Sequence, residues 1–161
     1  KKNIKFLLTF FTIFCLSLNL NLVYAAGSSD SGNNYTNLYK EAKRLVLRAK
    51  KLEKKNKIEK AEKLYSKALI NFEKAYAKDK KNADILNYLG FTLRKTGNLE
   101  KAELFYLKGL ELDAGHLGIN EYLGELYVNT NRIELAKKRL DVLNGCNCEE
   151  YEELKALIEK E

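Results

Sequence analysis

Cys146-Asn147-Cys148 sets two thiols one residue apart, and here the chain comes nearest to reactive chemistry. Sulfurs at that spacing can close a disulfide across one residue or offer two soft ligands to a metal in an oxidising compartment. Two ligands do not specify a metal site, however. The lone His116, in Asp113-Ala114-Gly115-His116, lies 30 residues away in sequence with no second His beside it. No Ser or Cys is placed with it as a nucleophile, so the sequence assigns no catalytic residue, no metal and no cofactor. It reads as a non-enzyme, with Cys146 and Cys148 as a candidate disulfide.

The elements that must position these residues repeat along the chain. Between Asn82 and Gly118, Leu86, Leu89-Gly90, Leu93, Gly97, Ala102 and Tyr106 mark two short helices folded against each other. Leu123-Gly124, Tyr127, Asn131 and Ala136 return in register, with Gly124 34 residues after Gly90. An earlier copy pairs Lys60-Ala61-Glu62, Tyr65, Lys67 and Leu69 with Lys101-Ala102-Glu103, Tyr106, Lys108 and Leu110 at a separation of 41, seven more than the period. Seven residues are about two helical turns, so the first copy has a lengthened second helix whose face continues through Phe72, Ala75 and Tyr76. Its first helix shows Leu38, Ala42, Leu45, Ala49 and Leu52 at spacings of three and four, from about Asn37 to about Lys55. Asn56, with Glu59 three residues on, reads as the cap that opens the next helix and shares its repeat position with Asn131.

Small residues at Ala49, Gly90 and Gly124 mark where two helices cross. Ala61, Ala102 and Ala136 do the same for the facing helix and let Tyr65, Tyr106 and Leu140 pack. Cys146 falls where Leu112 stands one repeat earlier, an apolar helix-end position, which favours a packed or simply oxidised structural cysteine over a redox or metal-handling one.

These residues resemble the tetratricopeptide repeat, whose signature joins an aromatic-x-x-Leu-Gly-x-x-Tyr first helix to an Ala-x-x-x-aromatic second helix and a closing Pro on a period of 34. The middle repeat matches with Leu86, Leu89-Gly90, Leu93, Gly97, Ala102 and Tyr106, the third with Leu123-Gly124, Tyr127, Ala136 and Leu140, and the first more weakly with Leu45, Ala49, Leu52, Ala61, Tyr65 and Ala68. Asn120 replaces the first aromatic, Arg48 stands where Leu belongs, and Ala114 and Cys148 take the Pro position. The resemblance implies an all-α, right-handed α-solenoid of three helix hairpins plus a C-terminal capping helix, occupying 37–161. The repeats are expected at about 42–82, 83–116 and 117–148, with the cap at 149–160. On that cap Tyr151, Leu154, Leu157 and Ile158 share one face, leaving Glu150, Glu152, Glu153 and Lys155 on a solvated one.

Proteins of this family bind peptides or partner helices in a concave groove lined by the first helix of each hairpin, so the resemblance implies an adaptor or scaffold. Opposite the packing face Leu86, Leu89 and Leu93 lie Asp84, Asn87, Phe91 and Lys95, and the corresponding third-repeat face holds Gly118, Glu121, Glu125 and Asn129. These are the candidate partner-binding residues. Phe91 is either an aromatic anchor for the partner or a packing residue on the lengthened first hairpin. A subgroup of the family grips the C-terminal carboxylate of chaperones with Lys and Asn. The corresponding positions here hold Val46, Lys50, Tyr88, Gly118 and Tyr122, so only Lys50 could contribute.

The 161 residues are 32 % charged and lack Pro and Trp, which suits stacked amphipathic helices. Lys1, Lys2 and Lys5, the apolar run Phe6 to Leu18, and Val23 and Ala25 have the layout of a cleavable secretory signal at 1–25, with cleavage after Ala25. Cys15 lacks the small residues of a lipidation box, and Asn19 and Asn21 interrupt a run too short for an anchor, so no stable membrane insertion is expected after cleavage. Residues 26–36, rich in Gly, Ser and Asn, read as a flexible linker. The expected location is periplasmic or secreted.

The formal net charge of +7 includes those three lysines, and the remaining excess is too dispersed to imply nucleic acid. Residues 40–63 are the most basic stretch, with eleven Lys or Arg against four Glu, whereas 145–161 carry two Lys against six Glu. A solvated helical face accounts for such runs, and docking of the basic first hairpin to an anionic envelope surface is the functional alternative. The partner is thus expected to be a protein or peptide whose identity the sequence does not give.

Overall fold

A computed structural model describes residues 31–160, and the expected signal segment and its cleavage point lie outside them. Among the described residues seven α-helices follow one another: α1 (Ser31–Glu53), α2 (Ile58–Lys78), α3 (Ala83–Lys95), α4 (Leu99–Leu112), α5 (Leu117–Asn129), α6 (Ile133–Leu143) and α7 (Glu149–Ile158). They pair as the hairpins α1/α2, α3/α4 and α5/α6, stacked in order, with α7 against both helices of the last pair. The chain is an α-solenoid of helix hairpins. Among the described residues no helix is long and apolar enough to cross a membrane.

The first helix differs from expectation at its start, since it begins at Ser31 and so takes in residues 31–36 of the expected linker. Tyr35 packs against the first core cluster, and that contact gives the Asn-rich segment a reason to be helical that its composition does not show. Helix α2 runs 21 residues against 14 for α4. Its added turns carry Phe72, which stacks on Tyr88 of α3 at 5.1 Å between ring centroids, and Tyr76, edge-on to Phe105 of α4 at 5.5 Å.

Each hairpin turns through the same corner. Gly97 and Asn131 have φ of 86° and 58°, and Asn56 has 54°. The amide of the next residue reaches back to the carbonyl five residues earlier: Asn98 to Leu93 at 2.9 Å, Arg132 to Tyr127 at 2.7 Å and Lys57 to Leu52 at 2.9 Å. This is the left-handed C-terminal motif that satisfies the last carbonyls of a helix, and Gly or Asn is chosen because both tolerate positive φ. Asn56 therefore closes α1. The expectation that it caps the next helix is corrected, for Lys57 holds the cap position and makes no side-chain cap bond.

The packing face Leu86, Leu89 and Leu93 is buried, as are Ala49, Ala61, Ala102 and Ala136. Gly90 lets the Tyr106 ring lie directly on the α3 backbone, where any Cβ would collide with it. At Gly124 the neighbour is Leu154 of α7, so the cap helix fills the close approach there. Leu112 is 46 % exposed. Cys146, by contrast, is half-buried against the second core cluster and joined to Cys148 by a disulfide between α6 and α7, a packed and oxidised structural cysteine as expected.

Candidate functional site

Residues four apart stand above one another on one helix face. That spacing recurs on four helices: Lys50 and Lys54 on α1, Phe91 and Lys95 on α3, Glu121 and Glu125 on α5, Glu149 and Glu153 on α7. All eight line one hollow of about 400 Å³, together with Glu53, Arg94, Tyr122 and Glu150. A second hollow of about 430 Å³ adjoins it, sharing Glu121, Tyr122 and Glu150 and adding Lys43, Asp84, Asn87, Tyr88 and the loop at Asp113 to Gly118. The two form a continuous groove along the first helix of each hairpin.

Ion pairs tie the groove walls together. Lys95 Nζ lies 3.0 Å from Glu53 Oε1, while the Tyr65 hydroxyl donates to Glu53 Oε2 at 2.8 Å, so one carboxylate joins α1, α2 and α3. Arg94 pairs with Glu125 across α3 and α5 in a largely buried contact. Lys50 Nζ donates to the Tyr122 hydroxyl at 3.1 Å and sits 5.0 Å from the centre of the Phe91 ring, a cation over an aromatic face.

Glu121 is 4 % exposed. Burial pushes its carboxyl up to about 9, helped by a hydrogen bond with Glu153 and by the negative charges of Glu125, Glu153 and Glu150, so at neutral pH it carries a proton. Glu121, Glu125 and Glu153 bring one oxygen each within 4.8 Å of one another. Three carboxylates, one protonated and one paired with Arg94, fall short of the six or more oxygens, roughly, that a hard divalent cation takes.

His116 is accounted for structurally. Its Nδ1 accepts from the Ile119 amide at 3.2 Å, capping α5, which leaves the Nε2 proton facing Asp84 Oδ1 at 3.4 Å. Beside it Asn87, 6 % exposed, has an Oδ1 with no hydrogen-bond partner.

The structure brings seven of the eight candidate groove residues to this surface, Gly118 at the second hollow among them. Asp84 and Asn87 line the second hollow, Phe91, Lys95 and Glu125 the first, and Glu121 both. Asn129 is exposed at the end of α5 and belongs to neither. Phe91 is 2 % exposed, held edge-on to Tyr65 at 5.7 Å and tilted on Tyr122 at 4.9 Å. Of its two readings, the packing role is the one its burial supports, with the addition that it bridges the first and third hairpins.

Sequence reasoning missed Glu53, Lys54, Arg94 and the acidic side of the groove. Glu153 is solvent-exposed, as expected for the outer face of the cap, and with the half-buried Glu150 it also lines the open hollow. The signal was the four-residue spacing of Glu149 and Glu153, which places both on the face turned away from Leu154. Of the positions that would carry a carboxylate clamp, Lys50, Tyr88, Gly118 and Tyr122 line the groove, and Lys50, the one that could contribute, is engaged by two aromatic rings and a hydroxyl.

Comparison with known proteins agrees with this architecture. Residues 45–114 match the tetratricopeptide repeat family. No curated protein matches the sequence. Among solved structures the chain is similar to the Arabidopsis OM64 TPR domain, at 13 % identity over 76 % of this chain and 98 % of that one, with a TM-score of 0.51. It is also similar to the Yersinia enterocolitica type III secretion chaperone SycD in complex with a peptide of the translocator YopD, at 18 % identity, 73 % and 86 % coverage and a TM-score of 0.48. The first TPR of Spaghetti (RPAP3), bound to an HSP90 peptide, gives 19 %, 75 % and 93 %, and 0.49. Residues 45–114 thus carry tetratricopeptide repeats, and the same corner and hairpin geometry continues through α5 and α6.

Proposed function

We propose that this protein is a non-enzymatic adaptor that binds a segment of a partner protein in its concave groove. The observation that carries the reading is the alignment of four side-chain pairs on four neighbouring helices along two joined, open hollows. A long open trough with a ring of charges and an aromatic floor fits an extended or helical chain, whereas small-molecule sites are enclosed and mostly apolar. Its one histidine serves as a helix cap and its described cysteines are joined to each other, outside the groove. Neither is arranged as a nucleophile with a base.

Export is part of the proposal. It is supported by the secretory layout of residues 1–25 and by a disulfide, a bond that persists in oxidising compartments. The adaptor then works in the periplasm or outside the cell.

Crosslinking in the native compartment, followed by pull-down, tests both parts. A partner captured by the wild type and lost with Lys50→Ala or Tyr122→Ala is expected, with Ala26 at the mature N-terminus. Partners retained unchanged by both substitutions would remove the groove reading, and an unprocessed N-terminus in the cytoplasmic fraction would remove export.

A further inference from the structure

The groove's charge is opposite in sign to the chain's. The chain as a whole carries +7. Within the groove, Lys95 and Arg94 are consumed by Glu53 and Glu125, and Lys50 rests on aromatic faces. Left without a cationic partner are Glu149, Glu150 and Glu153 of α7 with Glu121 of α5, and the second hollow adds Asp113. Against them stand Lys54 at one end and Lys43 at the other, the latter 5.3 Å from the Tyr88 ring centre.

Resting on the groove reading above, we propose that the groove receives a basic segment of its partner, with a Lys or Arg side chain seated against Glu153 and its α7 neighbours Glu149 and Glu150. Glu153 also holds an oxygen within 4.8 Å of oxygens of Glu121 and Glu125, so N–H donors brought by an ammonium or a guanidinium fork meet further acceptors from α5 there. A second feature points to the same class of ligand. Asn87 is almost wholly buried in the adjoining hollow, and its Oδ1 is an acceptor that lacks a donor. Buried acceptors are rarely left unpaired, and a basic segment brings N–H donors both on its side chains and along its backbone. An acidic segment would bring further carboxylates to a wall that already shares a proton to relieve its own repulsion.

The occupant's sign sets this proposal apart from a carboxylate clamp. A carboxylate-terminated peptide needs several free Lys and Arg in the groove, and among its described cations Lys54 alone is neither paired nor stacked.

Panning a random 12-residue phage-displayed library on the full chain provides the test, with synthetic copies of the enriched peptides measured by fluorescence anisotropy. Enriched peptides are expected to carry net positive charge. Their affinity is expected to fall about tenfold or more with Glu153→Lys or Glu150→Lys, and to fall with rising salt. Glu62→Lys, the same charge change at an exposed position of α2 outside the groove, is expected to leave it unchanged. Enriched peptides of neutral or negative charge that are lost with Tyr122→Ala would overturn the basic occupant while leaving the groove intact as a binding site. Enrichment of nothing, or of peptides indifferent to every groove substitution, would overturn the groove reading and this proposal together.

Discussion

His116 stands 34 residues after Asn82, and the two do the same work at the same point of successive repeats. Asn82 Oδ1 accepts from the Ile85 amide at 3.2 Å, and His116 Nδ1 accepts from the Ile119 amide at 3.2 Å. A side-chain acceptor at a helix N-terminus satisfies one of four orphan amides, and removing it costs about 1 kcal/mol. His116→Asn is therefore expected to keep the stability of the protein, while His116→Ala loses about 1 kcal/mol in urea denaturation. Equal loss in both variants would mean that the imidazole acts through Asp84 rather than as a cap.

The corner residues give a complementary expectation. Gly97 has φ of 86° and no neighbour within 4 Å of where a Cβ would lie. Backbone conformation alone penalises a side chain there, and the equivalent positions hold Asn131 and Asn56. Gly97→Asn should be close to neutral and Gly97→Val should destabilise by about 1–2 kcal/mol, measured by thermal or chemical unfolding.

Phe91 distinguishes packing from recognition. A fully buried aromatic held between Tyr65 and Tyr122 is expected to cost about 3–5 kcal/mol when cut to Ala. Phe91→Ala should therefore lower the melting temperature before it says anything about binding. A folded variant of unchanged stability would make Phe91 a surface anchor after all.

Glu121 ties stability to pH. Its carboxyl is raised from 4.5 to about 9 in the folded chain, so between those values the folded state holds a proton that the unfolded state has lost. Stability then falls as pH rises across that window. Glu121→Gln, which mimics the protonated form, is expected to match the wild type near pH 4.5 and to melt at higher temperature by roughly 2–5 °C at pH 9. Parallel melting curves at all pH values would show that the carboxyl is ionised in the folded protein.

The period, the hairpins and the elongated α2 could all be read from the sequence because small and apolar residues must return wherever helix backbones meet. Ala102 and Ala136 are buried for that reason, and so is Gly90 under the Tyr106 ring. Residues that act across hairpins were less legible. Glu53 joins Lys95 and Tyr65 over 42 and 12 positions of sequence, and Arg94 reaches Glu125 from the neighbouring hairpin. No local spacing announces such pairs. Phe91 was ambiguous because its place in the repeat is groove-facing, whereas the Tyr65 and Tyr122 rings close over it. Asn56 was assigned the wrong helix end because Asn serves both as a cap and as a left-handed corner, and only the backbone distinguishes the two.

Helix α7 has two duties that usually fall to different parts of an array. Leu154 seals the end of the stack at Gly124, and Glu149, Glu150 and Glu153 form much of the groove's acidic bank. If the groove takes a basic segment as proposed, the terminator is also a selectivity element. Extending the array by another hairpin in place of α7 would make a longer protein of the same architecture and, with its acidic bank gone, one tuned to a different clientele.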